Sequence, residues 1–162
     1  MPQTPWVFVS ATTRDLGSFR RAAAAALEKR DVHAIVQENF PPDYREVIEL
    51  LRERIAQCDA VICLVGFYYG AEPQEPPDGA LRRSYTQLEY DIAVALDKPV
   101  FKLLADEGCP FDPHRPEPDE VRAAEDPHGV LHRLRTPVLQ NEPANAVQVR
   151  CEMDVLVFGI DG

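Results

Sequence analysis

Short apolar runs alternate with stretches of helical periodicity along this chain, and the alternation predicts the architecture. Trp6-Val7-Phe8-Val9 is apolar throughout, as a strand covered on both faces should be. Ser10 to Asp15 is polar and turn-like. A helix follows, with Leu16, Phe19, Ala23, Ala26 and Leu27 at helical spacing and a run of alanines, the best intrinsic helix formers. Val32 to Val36 reads as a short second strand near a sheet edge, because His33 and Gln37 interrupt or end it. Pro41-Pro42 breaks the chain, and Arg45 to Gln57 then places Val47, Ile48, Leu51 and Ile55 on one helix face. Asp59 to Val65 is the strongest strand signal, its unbroken apolar run predicting the centre of the sheet.

Gly66 to Arg83 is a long loop rich in glycine and proline. Ser84 or Thr86 caps a helix running to about Asp97, and Lys98 to Leu104 forms a fourth strand, with Pro99 tolerated at its start. Asp106 to Pro127 is an acidic, proline-rich surface excursion with one short helix around Asp119 to Ala124. Val130 to Arg135 reads as a helical turn and Thr136 to Gln140 as the last strand. Pro143 opens a final helix, although Val155 to Phe158 also reads as strand. This order predicts an α/β class: a flavodoxin-like three-layer fold with a five-stranded parallel sheet, order 2-1-3-4-5, in one domain over 1–162. Its switch point lies between the first and third strands, where ligands bind at the carboxyl ends.

Composition narrows the function. At 162 residues, with 45% apolar and 27% charged residues, the chain is an ordinary globular domain able to bury a core. A net charge of −10 is the wrong sign for a phosphate-backbone binder, so no nucleic-acid partner is expected. No apolar run approaches the roughly 20 residues that span a bilayer, and the N-terminus lacks the pattern of a secretory signal. No membrane partner is expected. Cys58, Cys63, Cys109 and Cys151 form no CxxC pair and read as reduced core thiols of a cytoplasmic protein. His128 and His132, with Glu125 near, would align on a helix, but Pro127 and Gly129 oppose one and no third ligand is evident. No metal site is expected. Walker, GxSxG and GxGxxG motifs are absent.

Three polar segments fall where the switch-point rule puts a site. Ser10, Thr12, Arg14 and Asp15 open a helix after the first strand, and their hydroxyls, amides and guanidinium suit a phosphate or carboxylate. An ordinary capped loop, with Thr12, Thr13 or Asp15 as the cap, is the alternative. Gly66-Phe67-Tyr68-Tyr69-Gly70 follows the third strand; its glycines allow close backbone approach, and its tyrosines can stack on a base or simply pack the loop. In Ser84-Tyr85-Thr86-Gln87-Leu88-Glu89-Tyr90, helical geometry puts Glu89 on a semi-buried arc beside Leu88, Ile92 and Ala95. A buried glutamate is paired or functional. It is either half of an ion pair with Arg14 or Lys102, or a pocket carboxylate for the oxocarbenium-like centre of a breaking N-glycosidic bond. Ser10, Gly66, Tyr69 and Glu89 are expected to line one cleft.

The runs VFVSATTRDLGSFRRAAAAAL, IAQCDAVICLVGFYYG and SYTQLEYDIAVALDKPV resemble, in that order, the motifs of a TIR-like domain family of unknown function. The resemblance covers about Trp6 to Leu104, with a looser match to the end. It implies a place N-terminal to NACHT or similar STAND NTPase modules and repeats in a larger signalling protein. It also implies distant kinship with TIR domains and nucleoside 2-deoxyribosyltransferases. On that basis NAD or another nucleotide is the implied ligand or substrate, no cofactor is fixed, and self-association is one implied role. Glu89 is then the implied catalytic residue, with Ser84 opening its motif; Ser10, Arg14 and Asp15 match the first motif and Gly66, Tyr69 and Gly70 the second. Tyr85 and Tyr68 complete the implied ligand set. The chain departs from the family pattern at Tyr68, where arginine is usual, and at Gln87, where an acidic residue is common.

Overall fold

A computed structural model describes residues 3–66, 68–105 and 112. Four strands, β1 (Trp6–Ala11), β2 (His33–Ile35), β3 (Ala60–Val65) and β4 (Val100–Leu104), pair in parallel in the order β2-β1-β3-β4. Helices α1 (Thr13–Glu28), α2 (Tyr44–Ala56) and α3 (Tyr85–Ala95) connect them. The pattern predicts five strands; the described residues hold four, in the order expected of the first four. The predicted fifth strand at 136–140, the final helix from Pro143 and, apart from Asp112, the excursion over 106–127 lie outside the described residues.

Alternation along each strand divides the apolar residues between two layers. Val7, Val9 and Ala11 join Ile62, Leu64 and Leu103 beneath Leu16, Ala23 and Leu27 of α1. Phe8, Val61, Cys63, Val65 and Leu104 face the other way, against Val47, Leu51 and Ile55 of α2 and Leu88, Ile92 and Ala93 of α3. β3 pairs with a strand on each side and is buried from Val61 onward, which is why its sequence is apolar without alternation. Trp6 departs from the expectation of a strand covered throughout. It is 42% exposed and lies against the His33 ring of β2, centroids 4.7 Å apart.

The polar turn predicted over 10–15 contracts to the single residue Thr12. Ser10 and Ala11 stay in the ladder opposite Cys63 and Leu64, and α1 begins at Thr13. Continued strand pairing overrides local polarity because each laddered residue satisfies backbone groups that a turn would leave to solvent. Thr12 is the N-cap of α1 without a side-chain cap bond. Asp43 caps α2 by accepting from the backbone N–H groups of Arg45 and Glu46 at 2.8 and 3.2 Å. Ser84 and Gln87 close a reciprocal capping box on α3. Lys98, just before β4, donates its ammonium to the carbonyls of Ala56 and Cys58 at 2.8 and 2.7 Å, at the negative end of α2. Among the described residues no helix is long and apolar enough to cross a membrane.

Ile62 is 6% exposed at the middle of β3, on the α1 side. Ile62→Ala should lower stability by about 2–5 kcal/mol, from lost transfer energy and the cavity left behind. Chemical denaturation of parent and variant measures this; coincident midpoints would place β3 outside the core.

Candidate functional site

A row of polar side chains crosses the sheet inside the layer that α3 covers. Ser10 is in register with Cys63, and Cys63 with Lys102, so all three project on the face shared with Phe8 and Val61. Each is buried: Ser10 and Cys63 are 1% exposed and Lys102 3%. Glu89 comes down from α3 onto this row, itself 4% exposed. The Ser10 hydroxyl donates to Glu89 Oε2. The Lys102 ammonium sits 4.8 Å from the centre of the Tyr90 ring, an aromatic face that favours a cation.

Removal from water dominates the electrostatics of the row. Burial pushes the Glu89 carboxyl up to about 8, while the Ser10 hydrogen bond and the Arg20 charge pull the other way. Glu89 is therefore mostly protonated at neutral pH. Burial, reinforced by Glu89, raises the Cys63 thiol to about 12, so it is inert as a nucleophile. Cys58 is likewise a buried free thiol, raised by burial to about 11. Arg20 is 2% exposed on α1; its guanidinium donates to Ala11 O at 3.1 Å, Thr13 Oγ1 at 2.9 Å and Glu38 at 2.7 Å.

Above the row, at the carboxyl ends of β1 and β3, a narrow cleft with about 10 Å³ of free space, room for about one water, is lined by Thr12, Gly66, Tyr68, Tyr69, Ser84 and Gln87, among others. The strand order reverses direction between these two strands, so this is the switch point of the sheet. The loop forming one wall is pinned. Tyr69 hydrogen-bonds to Glu72, Glu72 pairs with Arg82 at 2.9 Å, and Tyr85 N–H donates to Ala71 O at 3.0 Å. Burial and the Glu72 contact both hold the Tyr69 hydroxyl in its neutral form. Gly70 has φ +86° and packs on Thr12: a Cβ there would come within 3.2 Å of Thr12 Cγ2.

The structure thus splits the residues expected to share one cleft. Gly66, Tyr68, Tyr69, Thr12 and Ser84 line it; Ser10 and Glu89 meet each other in the buried row and are not part of its lining. Arg14 is exposed on the first turn of α1, whereas Asp15 beside it is fully buried. Tyr85 turns to stack on Phe40, ring centroids 4.0 Å apart, rather than facing the cleft. Glu89 Oε2 accepts from the Ser10 hydroxyl. Arg20 and Gln87 escape the sequence reading as site residues. Arg20 carried a signal: with Leu16, Ala23 and Leu27 it occupies the apolar arc of α1, where a charge must have partners. Among the described residues no cluster of three His, Cys, Asp or Glu side chains is arranged to hold a metal ion.

The chain matches the family model described as Domain of unknown function (DUF4062) over residues 6–147. The match takes in the buried row, the cleft and all described strands and helices. No curated protein matches the chain.

The protonated carboxyl has a thermodynamic signature. Its ordinary value is 4.5 and its value in the fold is about 8, so between these the folded state holds a proton that the unfolded state has lost. This contribution to stability is full below pH 4.5 and declines as pH rises to about 8, by up to about 1.4 kcal/mol per pH unit. Glu89→Gln removes the titration while keeping an acceptor for Ser10, so its stability relative to the parent should rise across this window. Denaturation midpoints of both proteins at several pH values test this; parallel curves would mean that Glu89 is ionised in the fold.

Proposed function

We propose that this chain, which belongs to the DUF4062 family, binds a nucleotide such as NAD in the cleft between β1 and β3 and acts on its N-glycosidic bond through Glu89. The observation that carries the reading is the coincidence of three features at one switch point. The hydroxyl-bearing side chains of Thr12 and Ser84 stand beside tyrosine rings, and a buried carboxyl lies beneath. Hydroxyls suit ribose oxygens, and aromatic faces suit a base. The cleft has about 10 Å³ of free space, far below the ~300–1,000 Å³ that encloses a drug-sized ligand, so a nucleotide enters only if the loop wall moves aside.

For bond cleavage, Ser10 must release Glu89 toward the ligand. A cationic nicotinamide-type ring nearby would favour loss of the Glu89 proton, because an opposite charge stabilises the carboxylate. The C1′–N bond then breaks with its electron pair leaving on the base. The carboxylate steadies the oxocarbenium-like centre, and water adds to C1′ with release of a proton. The same reading includes a TIR-like relationship, a flavodoxin-like sheet completed by a fifth strand at 136–140, and a cytoplasmic setting ahead of NACHT or STAND modules. A second reading, a non-catalytic nucleotide sensor or self-association module, is favoured by one observation: Glu89 is buried on Ser10 and is not part of the cleft lining.

Incubation of the protein with NAD, NADP and nucleosides, concentrated and dilute, with chromatography for free base, tests both. Base release that falls by at least two orders of magnitude in Glu89→Gln, at unchanged ligand affinity, is the outcome expected of the enzyme. Binding without release leaves the sensor. Neither binding nor release removes the nucleotide reading altogether.

A further inference from the structure

The amino end of the sheet carries a roomier hollow. It has about 500 Å³ of free space and is lined by Trp6, His33, Gln57 and Asp59, with Gln3 to Pro5 beside them. That volume is ordinary for a ligand site. The starts of β1 and β2 and the turn from α2 into β3 meet here, and backbone bonds fix them. Trp6 N–H donates to Asp59 Oδ2 at 2.8 Å, and Asp59 N–H to Trp6 O at 2.7 Å. His33 N–H donates to Pro5 O at 2.8 Å. Both backbone groups of Trp6 are engaged, so its exposure is that of the indole. The His33 imidazole covers one part of that ring and the rest is open. The lining sets the sign of the charge it accepts. It holds the Asp59 carboxylate and neither lysine nor arginine, and the chain carries a net −10, so an anion is repelled. The flanking charges oppose one another: the Lys98 ammonium is held on the Ala56 and Cys58 carbonyls, and Glu28 Oε2 lies 3.9 Å from His33 Nδ1. Asp59 Oδ2 is engaged by Trp6, whereas Oδ1 takes no hydrogen bond from another described residue.

We infer that this hollow binds a guanidinium group, packed on the Trp6 indole and donating to the Asp59 carboxylate. A guanidinium joins a fork of N–H donors that fits a carboxylate to a flat face that stacks on an aromatic ring. The indole is the aromatic surface that attracts a cation most strongly. An ammonium offers the charge without the flat face, and a neutral urea offers the face without the charge. Gln3 and Gln57 add amide oxygens to the lining, acceptors for the N–H groups that Asp59 does not reach. This hollow lies at the opposite end of the strands from the switch point and does not depend on the nucleotide reading.

Trp6 is the chain's single tryptophan, so its indole N–H resonance in ¹⁵N-labelled protein reports on this hollow alone. The probes are N-acetyl-arginine methylamide and its lysine and citrulline counterparts, the last keeping the shape of arginine without the charge. The arginine compound should shift the indole resonance and bind roughly tenfold more tightly than the citrulline compound, with lysine between them. Asp59→Asn keeps an acceptor for the Trp6 N–H and should abolish that preference. Trp6→Leu, read by calorimetry, should bring arginine down to the level of lysine. Free arginine and a short arginine-containing peptide separate the sources. Equal binding of the two marks a small-molecule site, and binding of the peptide alone marks a docking site for a polypeptide; both retain the guanidinium. Equal affinity for the arginine and citrulline compounds, or a preference retained in Asp59→Asn, would overturn the inference. So would binding that leaves the indole resonance in place, or no binding of any probe. Should Asp59→Asn fail to fold, the citrulline comparison and Trp6→Leu decide.

Discussion

The hydrogen bond between Ser10 and Glu89 joins two buried polar groups that neither the sheet nor the helix could satisfy alone. Each sits in a layer otherwise built from Phe8, Val61, Leu88 and Ile92, where an unmatched hydroxyl or carboxyl is costly. Apolar contacts alone tolerate sliding by a fraction of a helical turn; a directional bond between β1 and α3 does not. It therefore sets the rotation of α3 over the sheet. Once that rotation is set, Gln87 and Ser84, earlier on the same helix, must lie at the carboxyl ends of β1 and β3. The cleft is positioned by the pair beneath it.

The same arrangement explains why a loop as long as 66–83 can form a defined wall. Its regular structure is minimal, so order must come from side chains. Tyr69, Glu72 and Arg82 form one chain of polar contacts, Arg83 reaches Asp91 on α3 at 3.0 Å, and Gly70 admits Thr12 to close contact. The exposed ion pairs contribute little individually. The Glu72–Arg82 pair closes the loop on itself, the Arg83–Asp91 pair ties its end to α3, and the Gly70 contact holds its start against Thr12, which links β1 to α1.

Much of this fold was readable from residue pattern. The apolar run over Asp59 to Val65 marks the central strand, His33 marks the edge, and Val47, Leu51 and Ile55 mark the buried face of α2. These features depend on periodicity within one element. What periodicity does not contain is register between elements. That Ser10 stands beside Cys63, and Cys63 beside Lys102, follows from the alignment of three strands far apart in the chain. The buried position of Glu89 was legible from its helical arc, but its depth below the cleft was not, because depth depends on where β1 ends. Local polarity placed that end before Ser10, and ladder pairing carried it to Ala11. Gln87 was visible only as a departure from a family pattern; that its oxygen accepts from the Ser84 N–H emerges only from the structure.

The brevity of β2 has a consequence for how this molecule meets others of its kind. A long flat outer strand offers a row of open backbone groups on which a second sheet can grow. Among the described residues β2 is the outermost strand on its side; it pairs with β1 through only three residues, His33 to Ile35, and its first side chain lies against the Trp6 ring. So short a run is a poor template for strand addition, and amyloid-like growth from this flank is disfavoured by geometry rather than by charge. Any assembly of copies through this side would have to use side-chain surfaces, leaving the backbone ladder closed at its outermost rung.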